Sequence, residues 1–119
     1  MNDDTFENLE VWKEAIELAV RVYHLFQMCK DFEFRGQIQS AAMSISNNIA
    51  EGYERSSNAE FIRFLDIARG SCGEVRSQTY VAPRIGHLRE VDARALRVDA
   101  KRLSKRIAYL IEVRRRDFS

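Results

Sequence analysis

The chain has 119 residues, of which 45% are hydrophobic and 31% are charged, with five Gly and a single Pro. This length predicts one domain over residues 1–119 that buries a core without disulfides or metals. The shortage of Gly and Pro argues against a β-sandwich or barrel, whose turns need both residues, and favours long helices. No apolar run approaches the roughly 18–20 residues of a membrane span, and the acidic segment Met1–Asp4 does not resemble a signal peptide. We therefore expect a cytoplasmic protein without a membrane partner.

The two cysteines, Cys29 and Cys72, stand apart, without a CxxC spacing or a neighbouring histidine. Both fall on apolar stripes, so we expect reduced thiols in the core. The sequence also lacks a zinc-ligand spacing, a phosphate-binding loop and a dinucleotide fingerprint. It therefore predicts neither a metal nor another cofactor.

The net charge of +1 hides an uneven distribution. Residues 1–60 carry 5 basic and 11 acidic groups, a net charge of −6, whereas residues 61–119 carry 14 basic and 7 acidic groups, a net charge of +7. Such segregation bears on partners, because it favours contact with a polyanion or with an oppositely charged surface.

The first periodic segment predicts a helix over about 9–29, with Asn8 as its N-cap. Its apolar residues form two seams, each with steps of three and four residues. The first seam contains Leu9, Trp12, Ile16, Ala19, Tyr23 and Phe26, and the second contains Val11, Ala15, Leu18, Val22 and Leu25. One apolar face is enough for a helix in a bundle, so one seam is available to another subunit. The periodicity does not decide which.

The second segment predicts a helix over about 37–53, after a lapse in periodicity over residues 30–35. It has no charged residue from Gly36 to Ala50. A helix without charge is usually covered on most sides.

The third segment predicts a helix over about 58–82. Ser57 and Glu60 form a capping-box pattern at its start. At its end, Pro83 should kink or stop the helix, and Gly86 fits a C-terminal cap.

The fourth segment predicts a helix over about 90–114, with Leu96, Ala100 and Leu103 facing the core. Four helices with short connections and regular apolar stripes predict an all-α fold, an antiparallel up-down-up-down four-helix bundle.

More apolar surface is available than four helices need internally. The second seam of the first helix and two glycines that lie off the apolar stripe of the third helix are the candidate residues of an interface between subunits. Each glycine either has no packing role or allows another helix to pack on the side of the third helix that faces away from the apolar stripe. This candidate oligomer interface consists of Val11, Ala15, Leu18, Val22, Leu25, Gly70 and Gly73.

Three stretches carry a family resemblance: LEVW at 9–12, SISNNIAEG at 44–52 and FxxFLxIAxGSxxE at 61–74. With them the chain resembles the four-helix-bundle proteins of the 23S rRNA intervening-sequence family, also labelled S23 ribosomal proteins. The resemblance covers roughly Phe6 to Leu88. It implies a small bacterial protein that assembles as a homopentamer and has no known catalytic residues. The related accessory proteins of diversity-generating retroelements use a basic pentameric barrel to engage nucleic acid and a reverse transcriptase.

Few residues in the sequence are suited to catalysis. The two histidines, His24 and His87, do not stand in a motif with a Cys or Ser nucleophile. We expect His24 on a solvated helix face and His87 beside helix-end carbonyls. The sequence therefore predicts a protein that is not an enzyme and has no small-molecule substrate.

A polar stripe follows the second helix beside its apolar stripe. Its residues must be hydrogen-bonded if they are buried. The structural interpretation is a network joining the second and third helices, with Glu51 paired to Arg69 or Arg63, and the alternative is a small-molecule or nucleotide site. The stripe and its neighbour on the third helix are Ser44, Asn48, Glu51, Arg55 and Glu74.

The fourth helix offers the best candidate for a partner site. Residues 84–116 carry 11 basic and 4 acidic groups, mostly Arg, which suits phosphate better than Lys does. The candidate nucleic-acid-binding residues are Arg94, Arg97, Lys101, Arg102, Lys105 and Arg106. We expect a homo-oligomer, a pentamer, that is associated with RNA or another nucleic acid as a ribonucleoprotein accessory factor. The alternative is a protein–protein scaffold in which the basic fourth helix meets the acidic first helix of the next subunit.

Overall fold

A computed structural model describes residues 5–118. A short 3-10 turn, Phe6–Asn8, precedes four helices: α1 (Glu10–Phe26), α2 (Phe32–Tyr53), α3 (Asn58–Arg84) and α4 (Glu90–Phe118). Over this part of the chain no residue lies in a β-strand, and the predicted all-α fold is confirmed. None of these helices is both long enough and apolar enough to cross a lipid bilayer.

Contacts between α3 and α4 show how neighbouring helices run. Asn58, at the start of α3, donates a hydrogen bond from Nδ2 to the main-chain oxygen of Arg114, near the end of α4, at 2.9 Å. Thr79, near the end of α3, bonds to Arg97 in the first half of α4. The two helices are therefore antiparallel. Each of the four helices packs against two others, in the cyclic order α1, α2, α3, α4, as in a four-helix bundle.

The second seam of α1 belongs to the core of a single chain. Val11, Ala15, Leu18 and Val22 are buried, and Leu25 packs against the same apolar cluster. The prediction that these residues contact another subunit is therefore wrong for the four buried ones, since no surface is left for a partner.

The first seam of α1 is the one that remains accessible. Trp12, Ile16 and Ala19 are half-buried, and 56% of Tyr23 is exposed, although Phe26 at the end of the seam is fully buried. The surplus apolar surface noted in the sequence therefore lies on the flank of α1 that faces α2.

Both ends of α1 and the start of α2 differ from the prediction. Leu9, with an extended backbone, occupies the N-cap position of α1 without a side-chain cap, so the prediction of Asn8 as N-cap is wrong. The helix ends at Phe26. α2 begins about five residues earlier than predicted, because the carboxylate of Asp31 accepts a hydrogen bond from the main-chain nitrogen of Phe34 at 3.1 Å and caps the helix.

The cap of α2 is also tied to the loop between α3 and α4. Nε2 of His87 lies 2.8 Å from the second carboxylate oxygen of Asp31, and the rings of Phe34 and His87 are 5.6 Å apart. The hydrogen bond from His87, followed by the one from the Phe34 amide, lowers the pKa of Asp31. One aspartate therefore links two loops at the same end of the bundle.

Both ends of α3 agree with the prediction, except that the helix ends two residues later. Ser57 accepts a hydrogen bond from the amide of Glu60 at 3.1 Å, as an N-cap does, and Gly86 has a positive φ of 80° just beyond the helix. The helix nevertheless continues through Pro83 to Arg84.

The closest approach between α2 and α3 is made at Gly52. A Cβ atom there would lie 2.5 Å from Cβ of Phe64 and 3.3 Å from the ring of Phe61. The helical glycines Gly70 and Gly73 differ, because an added Cβ would meet nothing within 4 Å. Packing within one chain therefore requires only the first of these three glycines.

Cys72 is buried, and burial raises its pKa to about 12. Cys29 is half-buried, and both thiols are free, so the structure agrees with two reduced cysteines of which one lies in the core.

We expect Gly52→Ala to lower the free energy of unfolding by about 1–3 kcal/mol or more, because α2 must move away from Phe64. The control is Gly73→Ala, which adds the same methyl group in open space and should raise it by up to about 1 kcal/mol. Urea denaturation of both variants tests this, and equal effects would contradict the close approach at Gly52.

The lowered pKa of Asp31 predicts a specific dependence of stability on pH. A carboxylate with a lowered pKa in the folded state stabilises the protein above its ordinary pKa, here 3.8, and that contribution is lost as the pH falls through the lower folded value. Asp31→Asn keeps an N-cap acceptor but removes the titrating group. The stability gap between the native protein and this variant should therefore be largest near neutral pH and should shrink below about pH 4. Glu33→Gln, which removes a charge from the same turn, is the control in denaturation series from pH 7 to pH 3.

Candidate nucleic-acid interface

The six basic residues predicted on α4 do not share one face. Arg106 forms a salt bridge to Glu14 of α1, so it lies on the flank toward α1. Arg97 bonds to Thr79 of α3, on the opposite flank. At 100° per residue, Arg102 lies near the first flank, whereas Arg94 and Lys101 lie near the second. Lys105 lies between the two flanks, where it also borders a cleft with Leu9 and Val11 at the start of α1. α4 therefore divides its positive charge between two neighbouring helices.

Arg97 is a structural residue, and its prediction as a phosphate-binding residue is corrected. Its side chain is only 17% exposed. The guanidinium donates to the hydroxyl of Thr79 at 3.2 Å and to the carbonyl oxygen of Thr79 at 3.0 Å, and it stacks on the ring of Tyr80 at 3.8 Å from the centroid. Its remaining contact is with Glu90 at 3.4 Å. With its donors engaged inside the chain, Arg97 has little left to offer a ligand.

The position of Arg97 has a cause in the sequence of α3. Proline lacks an N–H group, so Pro83 leaves the carbonyl of the residue four positions earlier, Thr79, without its helical donor. Arg97 supplies that donor from α4. Arg97, which the sequence predicts as a phosphate-binding residue, therefore replaces the hydrogen bond that Pro83 removes.

α3 contributes cations that the sequence analysis missed. Thr79 lies beside Arg97, and the two helices are antiparallel. The residue one turn before Thr79 on α3 therefore lies beside the residue one turn after Arg97 on α4. This places Arg76 at the level of Lys101. Arg69 lies two turns before Arg76 on α3 and pairs with Asp66 at 3.0 Å.

Together these residues form what we call the α3–α4 basic face: Arg69, Arg76, Arg94 and Lys101, with Lys105 at its outer edge. Lys101 and Lys105 are exposed and, among residues 5–118, neither lies in an ion pair, while Arg94 makes a long contact of 3.8 Å to Glu90. Periodicity read separately in each helix could not find a face shared by two helices. The signal that could have found it is the recurrence of Arg69, Arg76 and Arg84 beside the apolar stripe of α3.

The opposite charges of α1 and α4 meet within one chain. Salt bridges join Arg21 to Asp99 and Arg106 to Glu14. Arg102 pairs with Asp99 on its own helix at 3.4 Å. Part of the charge segregation in the sequence is therefore satisfied inside the bundle, and Arg102 and Arg106 contribute to that pairing.

Two residues of the polar stripe, Ser44 and Asn48, take part in the kind of network that the structural interpretation predicts. The hydroxyls of Ser44 and Ser71 are 2.8 Å apart, which joins α2 to α3, and Nδ2 of Asn48 donates to the carbonyl and hydroxyl oxygens of Ser44. Glu51 pairs with Arg55 on its own helix at 2.8 Å, so the predicted pairing with Arg63 or Arg69 is wrong.

Groups suited to catalysis do not converge in residues 5–118. The thiol of Cys29 contacts the carbonyl oxygen of Asp31 at 3.8 Å and makes no hydrogen bond to His87. His24 is exposed on α1, as predicted. Over the same residues, no group of three or more His, Cys, Asp or Glu side chains is arranged to hold a metal ion.

The four packed helices, the motif residues buried between α2 and α3 and the charged outer flanks define a small all-helical bundle protein. A family model described as 23S rRNA-intervening sequence protein matches residues 7–109, and the chain belongs to this family. A 1.70 Å crystal structure of a protein with unknown function from the S23 ribosomal protein family of Bacteroides thetaiotaomicron is similar, with a TM-score of 0.80 and 26% identity. The match covers 85% of this chain and 97% of that one. No curated protein matches the sequence.

The role of Arg97 can be tested by coupling it to Pro83. We expect Arg97→Ala to cost about 2–3 kcal/mol of unfolding free energy, because it leaves the Thr79 carbonyl and hydroxyl without this donor. Pro83→Ala restores a main-chain N–H, so it should stabilise the Arg97→Ala background more than the native one, by about 0.5–1 kcal/mol. A double-mutant cycle from urea denaturation measures this difference. Strict additivity would show that Arg97 does not replace the missing donor.

Proposed function

We propose that the protein is a non-enzymatic accessory factor that binds nucleic acid through its α3–α4 basic face and acts as a homo-oligomer, a pentamer. The observation that carries the proposal is the presence of basic residues from two neighbouring helices on one flank, two of them, Lys101 and Lys105, without an ion pair among the described residues. Nucleic-acid affinity comes largely from such cations, which displace condensed counterions from phosphates.

The length of the face suits a stretch of nucleic-acid backbone. Arg94 and Lys105 are separated by 11 residues, which corresponds to about 16 Å along a helix. A duplex rises about 3.4 Å per base pair, so the face spans roughly five steps. One chain therefore supplies a short contact. Several copies would be needed for a long one.

The chemistry of the face supports recognition of backbone rather than of bases. Single-strand readers stack bases on exposed aromatic rings. Tyr80, on α3, already carries the guanidinium of Arg97 on its ring, and Tyr109, one turn after Lys105, is a single further exposed ring. We therefore expect binding that depends on phosphate and on the shape of the nucleic acid.

Assembly would multiply this modest contact. Binding through several linked copies raises avidity without any new contact, because each later contact is intramolecular. The near-neutral net charge of +1 is then no obstacle, since charge is concentrated on one flank. The family name, which refers to a 23S rRNA intervening sequence, favours RNA as the polyanion.

A second candidate function, a protein–protein scaffold, is favoured by one observation. Acidic α1 and basic α4 already form the salt bridges Arg21–Asp99 and Glu14–Arg106 within a chain. The same complementarity between chains would use the charge segregation for assembly. In that case the basic flank would be covered by a neighbouring subunit.

The test is fluorescence anisotropy with a structured rRNA fragment and an unrelated duplex at two salt concentrations. We expect Arg76→Glu/Lys101→Glu to weaken binding to both and to reduce the slope of log affinity against log salt by about 2, about one per lost phosphate contact. The control is Lys30→Glu/Arg89→Glu, which changes the net charge equally but lies in the loops that precede α2 and α4.

Three outcomes separate the two functions. Unchanged binding by a normally assembled Arg76→Glu/Lys101→Glu variant removes this face from the site. Absence of binding by the native protein even at low salt supports the scaffold. Loss of assembly in the variant, shown by light scattering, places the basic flank in a contact between subunits.

A further inference from the structure

α2 presents an uncharged surface to solvent. No charged residue occurs from Gly36 to Ala50, in a chain that is 31% charged, and yet Gly36, Ser40, Met43 and Asn47 are exposed. Charged residues are depleted at the centres of protein–protein interfaces and abundant on surfaces that stay in water. This part of α2 therefore has the composition of a covered surface.

On one side of α2 lies an apolar ridge. It is formed by the accessible seam of α1, by the neighbouring Val20 on the outer side of α1 and by one residue of α2. Of these residues, Val20 is 48% exposed, Tyr23 56% and Met43 50%. The α1–α2 ridge consists of Trp12, Ile16, Ala19, Val20, Tyr23 and Met43.

On the other side of α2 lies a shallow groove between α2 and α3. The middle of its α2 wall has small side chains, with Phe32, Glu33 and Gln37 toward the start of the helix, and a cleft of about 550 Å³ opens between this wall and Glu74. Ile67 and Gly70 lie seven and four residues before Glu74 and continue the groove along the same face of α3. The α2–α3 groove consists of Gly36, Ser40, Ser44, Ile67, Gly70 and Glu74.

We propose that the α1–α2 ridge of one copy of this chain packs into the α2–α3 groove of the next copy. This proposal rests on the homo-oligomer of the proposed function and names its surfaces. Bulky residues spaced by three and four on the ridge suit packing between helices, and Gly36 and Gly70, which have open space around them, permit a close approach.

Length and charge both favour a second copy as the occupant. Trp12 to Tyr23 on the ridge and Gly36 to Asn47 on the uncharged exposed face of α2 each span 11 residues, about 16 Å of helix. Glu33 and Glu74 line the cleft of the groove. Lys13, whose ammonium lies 3.5 Å from Glu10 of the same helix and is half-exposed, follows Trp12 beside the ridge and is the cation available to these carboxylates in a neighbouring copy.

The ridge and the groove lie on different sides of α2, so the contact joins unlike surfaces. Such a heterologous contact repeats from copy to copy and forms a ring if the rotation closes. α4 takes no part in it. The α3–α4 basic face of every subunit then stays open to a polyanion.

The test compares two double variants with matched exposure. Val20→Glu/Tyr23→Glu places two charges on the ridge, and Val98→Glu/Tyr109→Glu places them on α4, where the same residue types are 51% and 65% exposed. Light scattering at tens of micromolar should report smaller species for the ridge variant and the native size for the α4 variant. Circular dichroism confirms that both remain folded.

The groove is tested separately, because a ridge variant that unfolds would carry no information. Gly70→Leu fills the groove, whereas Gly73→Leu adds the same side chain three residues away, and neither position is packed within one chain. We expect only Gly70→Leu to reduce the size of the assembly.

Each contrary result has its own meaning. A monomeric native protein contradicts the homo-oligomer of the proposed function, and it also contradicts the contact proposed here. An oligomer that keeps its size in both the ridge variant and Gly70→Leu overturns this contact alone. Equal disruption by the ridge and α4 variants, or by Gly70→Leu and Gly73→Leu, also overturns it.

Discussion

The packing of α4 against the last turns of α3 depends on one side chain, Arg97. Because Pro83 removes a main-chain donor from the last turns of α3, the carbonyl of Thr79 must be satisfied from outside the helix, and the guanidinium of Arg97 does this. The same group lies over Tyr80 and is almost covered. It holds α4 at the level where Arg76 and Lys101 share a flank. The basic face is therefore a consequence of a structural hydrogen bond.

Features set by neighbouring residues were predictable from the sequence. The cap at Ser57 and the positive φ of Gly86 depend on a few adjacent positions, and both are found as predicted. The start of α2 was missed although its cap, from the Asp31 carboxylate to the Phe34 amide, is equally local. Charged residues in the first turns of α2 interrupt its apolar period, which hides the helix, and the contact of Asp31 with His87, 56 residues away, is not visible in the sequence at all.

The two seams of α1 show where periodicity stops being informative. Both have the same spacing, and the choice between them is made by α2 and α4, which bury Leu18 and Val22 and leave Tyr23 exposed. The basic face is a similar case. Its members on α3 and α4 share a face only when the helices are placed side by side, so a sequence read one helix at a time groups Arg97 with residues that it does not join.

The salt bridges between α1 and α4 bear on the order in which the bundle forms. Contacts between consecutive helices close short loops, whereas Arg21–Asp99 and Glu14–Arg106 join residues 78 and 92 positions apart. Closing a long loop costs more chain entropy, so we expect the helical hairpins to form before α1 meets α4. These pairs are partly exposed and therefore screened by salt. On this order, the last closure of the bundle would be the step most sensitive to ionic strength, and the amides of α1 would be the first to open to hydrogen exchange.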